Sequence, residues 1–218
     1  MMPREISYEP WRFDNLSEAQ LLDQADTGDI LLFRGNRAMT ALTRAVTYSH
    51  FDHVAIVLRF FEQPKELFYL EAVSNGVQIK RWSNLRNLIG PNQHYAQLVY
   101  RHVHFDRTQV FSKMEKFLEK SVGKKYEVNL SKFMKHKSTF NGIADDRTFF
   151  CSELVAKAFK LLGIMEDDGT SCAQFFPGHF AAAGDKFLKL KPGVIIENEM
   201  QVVVRQEELA KEANLIKH

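Results

Sequence analysis

Apolar residues are densest between positions 53 and 105, in short runs rich in β-branched and aromatic side chains. HVAIVLRFF (53–61), LFYLEAV (67–73), GVQIKRW (76–82) and AQLVYRHVHF (96–105) each predict a strand. Linkers as short as EQPKE and SNG join the first three, which predicts an antiparallel meander. Upstream, TGDILLFRG (27–35) reads as a turn at Gly28-Asp29, a short strand and a stop at Gly35. Elsewhere the period lengthens to that of a helix. SEAQLLDQ (17–24) predicts a short helix opened by Ser17. NRAMTALTRAVTY (36–48) carries apolar residues at 38, 39, 42, 45 and 46. A further helix is expected over 107–121, ending at Gly123. After a polar stretch, Leu154, Val155, Ala158, Phe159, Leu161 and Leu162 recur at helical spacing and Gly163 supplies a stop. The tail, 186–213, reads as two short strands and a polar helix.

Helix, then strands, then helices is the order of an α+β domain, with helices packed on one side of an antiparallel sheet. Residues 1–25 are expected to form an N-terminal arm and short helix, with Trp11 and Phe13 packing back on the body. Residues 26–218 are expected to form a single domain, since no repeat, low-complexity tract or linker interrupts them.

Composition narrows the classes. With 45% hydrophobic and 26% charged residues, the chain is ordinary for a globular protein. Its 18 phenylalanines suggest a well-filled core or a greasy cleft. A net charge of +2 gives no argument for nucleic-acid binding. No apolar run approaches the ~20 residues of a membrane-spanning helix. The opening residues, MMPREISYEPWRFDNL, are charged early and lack a secretory apolar core. The two cysteines, Cys151 and Cys172, read as free thiols in a reducing compartment, so cytoplasm is the expected location.

Cys151 is the first candidate for chemistry. If Thr148 caps its helix, Cys151 falls in the first turn. Unpaired amides and the positive end of the macrodipole would there favour thiolate over thiol, and the same amides could donate to an oxyanion. The competing reading is a small hydrophobe at a helix start. Cys172 reads as structural. A cysteine nucleophile needs a base, and there are eight histidines. His102 and His104 share a strand face, but no Cys, Asp or Glu cluster accompanies them. His50 and His53 form an H-x-x-H pair off any helix and without the glutamate of H-E-x-x-H. No metal or cofactor is called for. His179, in FPGHF, reads as a turn residue. His53 differs, because it stands at the mouth of a strand apolar enough to be central. Glu71 lies inside another apolar strand, where a carboxylate is costly unless partnered. In a hairpin of 53–61 and 67–73, odd-numbered residues of both strands share a face, so His53 and Glu71 do. The simplest register offsets them by a pair or two, which would call for a bulge or strong twist. Asp52, Ser74 and Asn75 are alternatives for the carboxylate's place.

TGDILLFRG, SHFDHVAIVLR (49–59), FYLEAVSNGVQI (68–79), VGKKYE (122–127) and FFCSELVAKAFKLLGI (149–164), in that order, resemble the circularly permuted branch of the NlpC/P60 papain-like superfamily. These are cysteine amidase-type enzymes, more distantly related to the lecithin:retinol acyltransferases. In unpermuted papain-like enzymes the cysteine helix comes before the histidine strand; here the histidine comes first. The resemblance implies Cys151 as nucleophile, His53 as base and Glu71 as orienting residue. It places Tyr126 near the cleft, and Tyr126 and Ser152 are the candidate substrate-binding residues. The run Phe150-Cys151-Ser152-Glu153-Leu154 departs from the Asn-Cys-Glu-His signature of the acyltransferases, which favours the amidase side. The expected function is thus cysteine-dependent hydrolysis of amide, peptide-like bonds in a small-molecule or peptide substrate. A lipid-directed thiol acyltransferase or phospholipase is the alternative. Its support is the lysine-rich stretch from Lys113 through Lys116, Lys120, Lys124, Lys125, Lys132 and Lys135 to Lys137, with Phe117 and Phe133, which would make a peripheral membrane contact. A solvated face balanced by Glu115, Glu119 and Glu127 competes with it. A non-catalytic binding module on the same scaffold is the third reading.

Overall fold

Strand β3, His53–Leu58, is buried at all six positions, so it must be covered on both faces. The computed structural model, which describes residues 13–36, 49–73, 75–123 and 146–204, shows how. Side chains of 146–150, the expected helix at 36–48, Ser74, Tyr126 and the polar tail helix lie outside the described residues.

In chain order the elements are β1 Asp14–Ser17, α1 Glu18–Gln24, β2 Ile30–Gly35, β3, β4 Phe68–Val73, β5 Gly76–Arg81, α2 Trp82–Arg86, β6 Tyr95–Arg101, β7 Val103–His104, α3 Val110–Ser121, α4 Asp146–Leu162, β8 Ile195–Ile196 and β9 Met200–Val203. Three 3-10 turns, Cys172–Gln174, Pro177–Phe180 and Ala182–Phe187, follow α4. A seven-stranded sheet runs β1-β9-β6-β2-β3-β4-β5, and β7 pairs with β8 apart from it. The meander β3-β4-β5 forms as the short linkers require.

Two expectations are corrected. The sheet is not wholly antiparallel, because β1 joins β9 in parallel. Hence residues 14–17, expected within an arm, supply an edge strand. Nor do the helices keep to one side. Val54, Ile56, Leu70 and Ala72 face Leu154, Val155, Ala158 and Phe159 of α4. Ala55, Val57 and Tyr69 pack in a second core with Leu21 of α1 and Trp82 and Leu85 of α2. Strands that are apolar at both parities demand two covering layers. Helix α1 starts as its sequence predicts: the Gln20 N–H donates to Ser17 Oγ and the Ser17 N–H to Gln20 Oε1, a reciprocal cap.

The turn into β2 is held by shape and charge. Gly28 has φ +106°, and a Cβ there would lie 2.7 Å from the Phe105 ring. Gly28→Ala is expected to cost about 1–3 kcal/mol, through backbone strain and overpacking, read by denaturant unfolding. Next to it Asp29 is fully buried. Its Oδ1 accepts from the Val103 N–H (3.0 Å) and Arg107 Nη2 (3.1 Å). Its Oδ2 accepts from the Asp26 N–H (2.8 Å), the Tyr100 hydroxyl (2.6 Å) and His102 Nδ1 (2.9 Å). The hydrogen bond to Asp29 raises the His102 pKa above its ordinary value. His102 and His104 do share a face, with ring centroids 4.5 Å apart. Each imidazole is spent on a carboxylate, His104 on Glu197 at 2.7 Å. Arg101, also fully buried, donates to both oxygens of Asp185 and to the Phe180 and Glu197 carbonyls, which pins the 3-10 turns to β6.

Candidate active site

Helix α4 lies across β3 and β4 and brings Cys151 to the end of the sheet where β3 begins. The β3–β4 ladder pairs Ile56 with Leu70 and Val57 with Tyr69. Continued towards the start of β3, it sets Ala55 opposite Glu71 and His53 two residues further on. His53 and Glu71 are therefore diagonal neighbours, within reach of long side chains. His53 Nε2 and Glu71 Oε2 meet at 2.8 Å, and the paired stretch carries no register shift. The Cys151 side chain hydrogen-bonds the same imidazole. With Nε2 on Glu71, Nδ1 is the ring nitrogen left to meet a second partner. The other oxygen of Glu71, Oε1, receives Lys80 Nζ at 2.5 Å.

Cys151 and Glu71 are buried, and His53 is only 8% exposed. Burial by itself would lower the His53 pKa. The negative charge and hydrogen bond of Cys151, reinforced by Glu71, outweigh it and raise the pKa from 6.5 to about 10. Burial by itself would raise the Glu71 pKa. The His53 hydrogen bond and charge, with Lys80 behind them, reverse this and lower it from 4.5 to about 2. The stability His53 contributes is thus complete below pH 6.5 and lost as pH rises through about 10. That of Glu71 is complete above 4.5 and lost as pH falls through about 2.

Aromatic rings wall the imidazole. Phe33, opposite His53 on β2, has its ring centroid 5.1 Å away. Tyr95 lies parallel to the imidazole at 6.4 Å and contacts Phe33 at 4.7 Å. Burial, and then the charge of Glu71, raise the pKa of both Tyr69 and Tyr95, so their phenols stay protonated at neutral pH.

The remaining candidates have other partners. The Asp52 carboxylate accepts from the Gly35 N–H (3.1 and 2.9 Å), while its own N–H donates to the Phe33 carbonyl. It fixes the chain where β3 begins and so sets the position of His53. His50 Nε2 turns to Gln97 Oε1 at 2.8 Å. Ser152 is fully buried and its hydroxyl donates to the Phe175 carbonyl at 2.5 Å, tying α4 to the first 3-10 turn. Cys172 is unpaired and half-buried, and burial raises its pKa. His179 sits in the second 3-10 turn, stacked on Phe187. Of the lysine stretch, Lys113, Lys116 and Lys120 lie on α3, and 124–137 lies outside the described residues.

One expectation about the cysteine fails. Helix α4 begins at Asp146, not at Thr148, so Cys151 stands in its second turn. A regular helix pairs the amide at that position with the carbonyl four residues back, so Cys151 N–H is not a free oxyanion donor. The macrodipole also weakens beyond the first turn. Asp146 is a favourable helix opener and no breaker follows it, which is why the helix extends upstream. The imidazole of His53, rather than the helix end, is the polar group that meets the Cys151 side chain. Lys80 and Tyr95 were missed from sequence. Carrying the meander one strand further would have found Lys80, because Glu71 pairs with Gln78 on β5 and Lys80 is the next residue of the same parity.

Residues 24–175 match the family described as permuted papain-like amidase enzyme, YaeF/YiiX, C92 family, and the chain belongs to it. Among solved structures it is similar to the metalloprotein YiiX from Escherichia coli O157:H7, at 18% identity and TM-score 0.45, over 84% of this chain and 98% of that one. No curated protein matches the chain.

Proposed function

We propose that the protein hydrolyses amide, peptide-like bonds through a thioester on Cys151, with His53 as base and acid and Glu71 as orienting residue. The observation that carries this is the continuous chain of hydrogen bonds from Cys151 through His53 to Glu71. His53 accepts the thiol proton at Nδ1, and the sulfur attacks the carbonyl carbon to form a C–S bond. The imidazolium then gives its proton to the leaving nitrogen as the C–N bond breaks. Water, deprotonated by His53, attacks the thioester, and the proton returns to sulfur as the acid departs. Glu71 holds Nε2–H and stabilises the imidazolium.

Membership of an amidase family implies a small-molecule or peptide substrate. Kinship with NlpC/P60 enzymes and, more distantly, the lecithin:retinol acyltransferases is part of the same reading, supported by the order of the motifs. So is a cytoplasmic location, which two cysteines outside any disulfide suit.

A panel of amide, ester and thioester acyl donors, with mass-spectrometric mapping of alkylated cysteines, tests the proposal. Amide turnover, with Cys151 labelled at neutral pH well ahead of Cys172, is expected. Turnover confined to lipid esters would instead support an acyltransferase or phospholipase. No turnover, with the two cysteines equally slow, would leave a binding module. On the active donor, kcat/KM is expected to persist into alkaline solution and to fall only as pH rises through about 10, where the imidazolium loses its proton. A basic limb near the ordinary histidine value of ~6.5 would show that the ring is not coupled to a thiolate.

A further inference from the structure

We propose that Lys80 is a positioning residue of this site, acting through Glu71 to fix the orientation of His53; the inference rests on the Cys151–His53–Glu71 reading. The carboxylate of Glu71 has two oxygens, and each has one charged partner. Oε2 meets His53 Nε2 at 2.8 Å and Oε1 meets Lys80 Nζ at 2.5 Å. The terminal torsion of a glutamate is broad and roughly two-fold, so a carboxylate held at one oxygen can swing. Held at both, it is clamped in one plane, and the imidazole bonded to it is clamped with it.

The sheet makes this geometry symmetrical. Tyr69 pairs with Lys80 and Glu71 with Gln78, so Lys80 lies on one diagonal of Glu71 as His53 lies on the other. Three adjacent strands, β3, β4 and β5, each deliver one charged group to the same row. With the sulfur as thiolate, the charges alternate: thiolate, imidazolium, carboxylate, ammonium. The row sums to zero. Without Lys80 a nearly buried row would carry a net negative charge, with Oε1 deprived of its ion-pair partner, a costly arrangement away from water. Lys80 itself retains 35% side-chain exposure, so its charge keeps part of its hydration while reaching a carboxylate that is 3% exposed. It also stands on β5, the outermost strand of the sheet, where substitution leaves the covered core strands intact.

The test uses Lys80→Met, which keeps the apolar stem, Lys80→Gln, which keeps a donor without charge, and Lys80→Arg. Lys80→Met is expected to lower kcat about tenfold to a hundredfold, the scale of a small misplacement of a catalytic group, with KM nearly unchanged. Loss of a cation disfavours nearby anions. The pH at which iodoacetamide alkylates Cys151 at half its maximal rate should therefore move up, a readout that a purely structural role would not shift. Lys80→Arg should keep both properties near wild type. Lys80→Gln should recover part of kcat but not the alkylation pH, and it serves as the charge-free variant if the methionine protein fails to fold. In a Glu71→Gln background, Lys80→Met should add little. Wild-type kcat and alkylation profile in both charge-free variants, or a full additional loss in the Glu71→Gln background, would overturn the role of Lys80 and leave the triad standing. Turnover retained by Cys151→Ala would overturn the triad reading itself.

Discussion

Cys151→Ala is expected to fold as the wild type does and to lose turnover by about 10⁴–10⁶-fold, the scale seen when a covalent nucleophile is removed. The sulfur is the only atom of the arrangement that can form the acyl intermediate, because His53 is bonded to Glu71 on one side and to Cys151 on the other. Serine fits the space, but its hydroxyl is a far weaker nucleophile beside an imidazole arranged for a thiol, so Cys151→Ser should lose nearly as much. The fold should persist because one small side chain is removed from a core that includes Leu154, Val155 and Phe159. A loss of about 1 kcal/mol is the expected stability cost. His53→Ala should fall to a similar floor, and Cys151→Ala/His53→Ala should be no worse than either alone, since the two act as a unit. Steady-state kcat/KM and denaturant melts on the same preparations check both parts. A Cys151→Ala enzyme within tenfold of wild type would remove the sulfur from the mechanism.

The second large effect concerns stability. Asp29→Ala is expected to cost about 3–5 kcal/mol, as does breaking a buried charged network by removing one partner. Against a total of about 5–15 kcal/mol, that is enough to depopulate the folded state on warming. Five donors converge on this carboxylate from the turn before β2, from β6 and β7 and from Arg107. Alanine would leave the Val103 N–H and the Tyr100 hydroxyl without this acceptor. Arg107 would keep Asp26 at 3.3 Å, so the loss should fall on the buried partners. Asp29→Asn, which preserves shape but not charge, should lie between the two. Urea unfolding measures the difference; a change under about 1 kcal/mol would mean that water takes the place of the carboxylate. Because this hub is at the other end of β2 from Phe33 and His53, Cys151 labelling in still-folded Asp29→Asn should remain near wild type.

The two expectations differ in how they could be reached. Cys151, His53 and Glu71 were legible because each breaks a local pattern: a thiol opening an apolar helical face, and titratable groups inside strands otherwise apolar. Asp29 breaks no pattern that a reader of the chain could see, since an aspartate beside a glycine is ordinary turn chemistry. Its burial becomes apparent only when β6, β7 and Arg107 close around it. Lys80 was hidden for a related reason. A lysine on an edge strand looks solvated until its diagonal neighbour is known to be a buried carboxylate. Tyr126 and the greater part of the lysine stretch fall outside the described residues, and Ser152 is turned inward to a carbonyl.

By itself the chain determined strands β2 to β5, the meander they close, the capped helix α1 and the shared face of His53 and Glu71. All of these follow from side-chain periods of two or 3.6 residues, which act between near neighbours. Tertiary structure alone decided that helices cover both sides of the sheet and that β1 adds in parallel. It also decided that a sulfur and an imidazole roughly a hundred positions apart meet. Contacts of that span are selected by which buried surfaces fit together once the intervening loop is closed, and local periodicity carries no record of that.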